Sequence, residues 1–152
     1  MKTIPRALTI VLLLVSAHAS TCPLEGYWKS HEEKTLASFR SAKDTTAKQR
    51  EILTKNFFGK LFIHIECDKF TTVMDGWMQT SSYKLLSSPE TAVTIQYHSD
   101  LEGNVMSEAV IEDKCYSAPV NSGQFKEYFC PVNAEEFNKA RRFAEQAVSK
   151  SP

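Results

Sequence analysis

Three sets of side chains in this sequence have the types and spacing for chemistry: cysteines, histidines and carboxylates. The cysteines are Cys22, Cys67, Cys115 and Cys130. An even number with no C-x-x-C pair predicts two disulfides rather than a metal site. Beyond the first nineteen residues the histidines are His31, His64 and His98. His64 and Glu66 stand two apart and share a face if the segment is a strand, which would suit a polar lumen or a metal site. Their spacing is not diagnostic of any metal, so no metal site is expected and the histidines read as surface or hydrogen-bonded residues. Asp68, Asp75, Asp100 and Asp113 fall at expected turns, where a short acid bonds to its own backbone. That accounts for them without acid–base catalysis. Ser81-Ser82 and Ser87-Ser88 have no G-x-S-x-G context and no clear histidine partner. Neither a catalytic constellation nor a cofactor is expected, and the chain reads as a non-enzyme.

The other notable stock is aromatic: Phe58, Phe62, Phe70, Trp77, Tyr83, Tyr97, Tyr128 and Phe129. These side chains either fill a core or line a cavity for an apolar ligand. Phe62, His64, Trp77 and Tyr97 are the candidate lining of such a site.

The elements that must position these residues follow from the hydrophobic pattern. Lys2 and Arg6 precede an apolar run, Ala7 to Val15, and then Ala17-His18-Ala19. This is the pattern of a secretory signal peptide over residues 1–19, too short to span a bilayer. The remaining residues, 20–152, form a single domain in an exported protein, periplasmic or secreted. The signal takes two of the 18 basic residues and none of the 18 acidic ones, leaving a charge of about −2. No basic run stands out, so nucleic acid is not an expected partner. No later apolar stretch reaches membrane-spanning length.

Leu24 to Ser30 reads as a first strand. Ser30 and Glu33 have capping-box spacing and predict a helix from His31, with Leu36 and Phe39 on one face. A second helical stretch begins at Asp44, carries Ile52, Leu53 and Phe57, and ends at Gly59. The period then becomes two: Leu61, Ile63, Ile65 and Cys67 alternate with Phe62, His64 and Glu66. Residues 70–74 pair back on them. Asp75-Gly76 marks a turn, or a bulge if Phe70 to Tyr83 runs on as one strand. Further strands are expected around Val93 to Tyr97, Val105 to Ile111, Lys114 to Ser117 and Gln124 to Val132. Glu102-Gly103-Asn104 is a turn. Asn133 caps a final helix, with Phe137, Ala140, Ala144, Ala147 and Val148 on its apolar face and Arg141, Arg142, Glu145 and Lys150 turned away. The sum is an antiparallel meander, in a barrel or strongly curved sheet, with two helices after the first strand and one at the C-terminus.

The cysteines measure this arrangement. A hairpin turn centred on Ser122 and Gly123 places Cys115 opposite Cys130, within reach of a disulfide. Cys22 then pairs with Cys67, at one rim, if the strands run alternately up and down. The competing scheme joins Cys22 to Cys130 and Cys67 to Cys115, because a closed barrel also brings its first and last strands together.

Gly26-Tyr27-Trp28 followed by Lys29 resembles the G-x-W signature on the first strand of the calycin superfamily, the lipocalins and fatty-acid-binding proteins. The resemblance implies that Gly26 allows a tight backbone approach at the closed end of a barrel and that Trp28 plugs that end. The helical pair is similar to the lid of fatty-acid-binding proteins. The C-terminal helix and the disulfides are closer to lipocalins, and the whole is similar to small exported bacterial lipocalin-like domains. The function this implies is non-enzymatic binding of a small apolar or amphipathic ligand in the barrel. The alternative is a protein-binding module, an inhibitor or interaction protein with a filled barrel, acting through its rim loops or the helical pair.

Overall fold

The computed structural model describes residues 22–43, 45–55, 57–99, 103–120 and 123–149. The expected signal peptide, the helix start at Asp44, the turn residues Asp100, Glu102, Asn121 and Ser122, and Lys150 lie outside the described residues.

Eight strands form one closed barrel in sequence order: β1 (Gly26–Ser30), β2 (Phe62–Ile65), β3 (Lys69–Met74), β4 (Trp77–Ser87), β5 (Ala92–Ser99), β6 (Gly103–Glu112), β7 (Cys115–Val120) and β8 (Phe125–Pro131). Every neighbouring pair is antiparallel, and β8 closes on β1. Helices α1 (Glu32–Ser41) and α2 (Ala47–Thr54) lie between β1 and β2, and α3 (Ala134–Ser149) follows β8. This is the expected meander. Among the described residues no helix is long and apolar enough to cross a membrane.

Period-two patterning sorts the strand residues between two cores. Ile65, Val93, Ala109, Tyr116 and Phe129 are buried together inside the barrel, with Trp28, Ile63, Phe70, Tyr83 and Ile95 packed against them. The alternate residues of β1–β3 face outward, where Tyr27, Phe62 and Val73 pack with Phe137, Ala140 and Ala144 of α3. The sheet is therefore apolar on both faces where α3 covers it, as a sheet between two layers must be. Val148 leaves the expected α3 stripe and is 65% exposed. It sits one residue, or about 100°, around the helix from Ala147, which faces Gly76.

Asp75 and Gly76 both have positive φ, +43° and +85°, between the paired residues Met74 and Trp77. This is a two-residue hairpin turn of the type that matches strand twist, so β3 and β4 are separate strands. The bulge lies instead between Leu85 and Ser87, in the pairing of β4 with β5.

The helical insert departs from expectation at both starts. His31, not Ser30, is the N-cap of α1, accepting from the Lys34 N–H. Ser30 remains in β1, and its hydroxyl points to other partners described below. For α2 the reciprocal cap is Thr46 with Gln49: Gln49 N–H donates to Thr46 Oγ1 at 3.2 Å, and Thr46 N–H to Gln49 Oε1 at 2.8 Å. A T-x-x-Q capping box starts this helix later than Asp44. At the C-terminus the expected cap forms, with Glu136 N–H donating to Asn133 Oδ1 at 2.9 Å.

β1 pairs with β8 only from Trp28 to Ser30. Beyond that point α1 takes over the edge of β8. His31 N–H donates to the Tyr128 carbonyl at 2.7 Å. Tyr128 N–H then donates to Thr35 Oγ1 at 3.0 Å, and Lys126 N–H to Ser38 Oγ at 2.9 Å. Two hydroxyls three residues apart on a helix thus satisfy an edge that a strand would otherwise cover. Phe39, Ala42, Phe58 and Phe125 pack beneath the insert as a third cluster.

Cys22–Cys67 ties the segment before β1 to the β2–β3 connection, whereas Cys115–Cys130 joins β7 to β8 beside α1, where Lys34 Nζ lies 4.0 Å from Cys115 Sγ. Cys22 bonds to Cys67 and Cys115 to Cys130, with Cα separations of 5.0 and 4.3 Å. The pairing expected from the Ser122/Gly123 register forms, since Val120 faces Phe125 and Tyr116 faces Phe129. Two such bonds fit an oxidising environment.

Candidate functional site

A cavity of about 270 Å³ lies within the barrel. It is bordered by inward side chains from β2, β3, β5, β6, β7 and β8, mostly aliphatic and aromatic. Ile63 and Ile65 supply one wall, Val93 and Ile95 another, and Tyr116 and Phe129 a third, their rings stacked 5.0 Å apart. Thr72, Ser107 and Tyr97 add hydroxyls. Among the described residues Glu127 brings the one carboxyl, and no lysine, arginine or histidine borders the space.

Glu127 holds this place because β8 alternates. Phe125 and Phe129 are buried two residues either side of it, so Glu127 must face inward as well. Its Oε1 accepts a hydrogen bond from Ser30 Oγ at 2.6 Å, and that hydroxyl in turn accepts from Gly59 N–H at 3.2 Å. Burial pushes the Glu127 carboxyl above its ordinary pKa, and the Ser30 hydrogen bond works against that rise. The Tyr116 phenol is pushed well above its usual value, first by burial and then by the Glu127 charge. Glu127 and Tyr116 are thus two ionisable groups that burial holds toward their neutral forms beside the apolar walls.

The four expected lining residues do not share one site. Tyr97 borders the cavity. Phe62 is on the outer face of β2 against α3. His64 is also on the outer face, stacked on Tyr27 with centroids 4.3 Å apart and tilted against Phe137 at 5.5 Å. Trp77 follows the β3–β4 turn and is 48% exposed. The reason is parity: Ile63 and Ile65 face inward, so Phe62 and His64 face outward. Sequence reasoning passed over Glu127, although two inward phenylalanines at i−2 and i+2 were a sufficient signal.

His64 Nδ1 lies 4.0 Å from Glu66 Oε2, and Lys69 Nζ lies 3.5 Å from the same oxygen; this group is not part of the described cavity lining. His98 is near Asn104, 3.3 Å from its Oδ1, on a strand remote from His64. Among the described residues the one close group of three potential metal ligands is Cys22, Glu25 and Cys67, and both of its cysteines are committed to a disulfide.

In β1, Trp28 donates its indole N–H to the Leu24 carbonyl at 2.9 Å and meets Tyr116 edge-on at 5.0 Å. Gly26 is required by its backbone rather than by crowding. Its φ is +140°, whereas a Cβ there would find its nearest neighbour at 3.8 Å. Tyr83 donates its hydroxyl to the Glu66 carbonyl at 2.6 Å.

No protein-family model matches the chain, and no curated protein or solved structure matches it either. The eight-stranded antiparallel barrel is consistent with a calycin-like fold.

Proposed function

We propose that this is an exported, non-catalytic binding protein of the calycin type that holds one small apolar or amphipathic molecule inside its barrel. The observation that carries the reading is the 270 Å³ cavity with its apolar walls and few polar groups. That volume stands near the lower end for small-molecule sites, roughly 300–1,000 Å³, and an eight-stranded barrel has room for one small ligand. Residues 1–19 have the pattern of an export signal, and the two disulfides accord with an oxidising destination. The lining proposed is that of the cavity itself, with Tyr97 retained from the sequence reading and Ile63, Ile65, Phe70 and Glu127 in place of Phe62, His64 and Trp77.

Native mass spectrometry of protein purified from its own host tests this. A small molecule that co-purifies at one per chain supports the carrier, and its release on unfolding places it in the fold. A stoichiometric protein with no small molecule would favour an interaction module instead. One feature speaks for that second reading: Trp77, Phe143 and Val148 are large apolar side chains, each about half exposed or more.

A further inference from the structure

We infer that the cavity selects an apolar molecule with an amine head, held by Glu127. The inference rests on the carrier reading above and specifies its ligand. Among the described residues the lining offers one carboxyl and no cationic side chain. A ligand carboxylate placed there would meet Glu127 with no positive charge to offset it, and both groups would lose hydration. An amine meets the opposite situation. When the proton passes to the amine, the ammonium and the Glu127 carboxylate make a charge-assisted hydrogen bond.

The geometry supports this pairing. Ser30 engages Oε1 of Glu127 from the β1 side, and Glu127 borders the cavity. Ser30 is itself 3% exposed and fixed by Gly59, so the carboxyl is anchored rather than free to rotate away. The rings of Phe70, Tyr97, Tyr116 and Phe129 also border the cavity, and aromatic rings attract a cation placed over a face. The aliphatic side chains of β2 and β5 leave space for a hydrocarbon tail.

Isothermal titration calorimetry on the disulfide-intact protein, with octylamine, octanol and octanoate, tests the proposal. Octylamine is expected to bind about tenfold or more tightly than octanol, since a hydrogen bond to a charged group is at stake, and octanoate should be weakest. Glu127→Gln keeps the shape and an acceptor for Ser30. It should remove the amine preference, bringing octylamine to the affinity of octanol. If the variant fails to fold, the wild-type ranking still decides, together with an NMR shift of the Glu127 side-chain carboxyl when octylamine is added. Octanoate binding as tightly as octylamine overturns the inference, as does an amine preference that survives Glu127→Gln. Either result leaves the carrier standing. If none of the three binds, the carrier reading itself fails and takes the amine proposal with it.

Discussion

Thr35 Oγ1 accepts a hydrogen bond from the Tyr128 N–H at 3.0 Å, and Thr35 is wholly buried. A helix side chain here does what a backbone carbonyl does along the rest of the barrel. Thr35→Val keeps the shape and removes the acceptor, leaving a buried N–H unsatisfied. The expected loss is about 1–3 kcal/mol in denaturant unfolding. Thr35→Ser should recover most of it. Equal stability of all three proteins would show that the contact carries no weight.

Gly76 should resist substitution for two separable reasons. Its φ is +85°, and a Cβ would lie 3.0 Å from the Ala147 Cβ. Gly76→Ala is expected to cost about 1–2 kcal/mol from backbone handedness alone, with the contact added. Combining it with Ala147→Gly should relieve the contact but not the backbone cost. A double variant as stable as Gly76→Ala alone, once the helix penalty of the new glycine is measured separately, would remove the contact from the account.

The two disulfides should differ in worth. Cys22–Cys67 spans 45 residues and Cys115–Cys130 spans 15, which gives about 4 and 3 kcal/mol on the chain-entropy account. Pairwise replacement by alanine, followed by chemical denaturation, measures both. Non-reducing peptide mapping checks the connectivity. Peptides joining Cys22 to Cys130 would reverse the assignment.

Glu127 should leave a signature in the pH dependence of stability. Its carboxyl is raised in the fold above the ordinary value of 4.5, chiefly by burial. The native state therefore holds this proton more firmly than the unfolded chain does. Its contribution is full below about pH 4.5 and declines as pH rises through the higher native value. The stability of the wild type relative to Glu127→Gln is thus expected to fall with rising pH over that window. Urea melts at a series of pH values measure the difference, and a rise would contradict the burial of the carboxyl.

Much of the architecture was legible because one face of each strand carries a strong apolar signal. Val93, Ile95 and Tyr97 marked β5, and the Cys115–Cys130 register followed from a turn centre. The lining was harder to read. On β2 both faces are apolar, because α3 covers the outside, so Phe62 and Ile63 look alike in sequence while facing opposite ways. The pairing of α1 with β8 left no periodic trace either, since it rests on two hydroxyls, Thr35 and Ser38, among polar neighbours. Glu127 was visible in principle and was hidden by its charge, which reads as surface until the parity of Phe125 and Phe129 is counted.

The stitching of α1 to β8 limits how the barrel can open. A cap joined only by side-chain packing can swing like a hinged door. This one cannot, because lifting it would strip the N–H groups of Tyr128 and Lys126 of their acceptors and unzip the seam where the barrel closes. For the carrier proposed above, fastening α1 to β8 with an engineered crosslink is therefore expected to leave the rate of uptake unchanged.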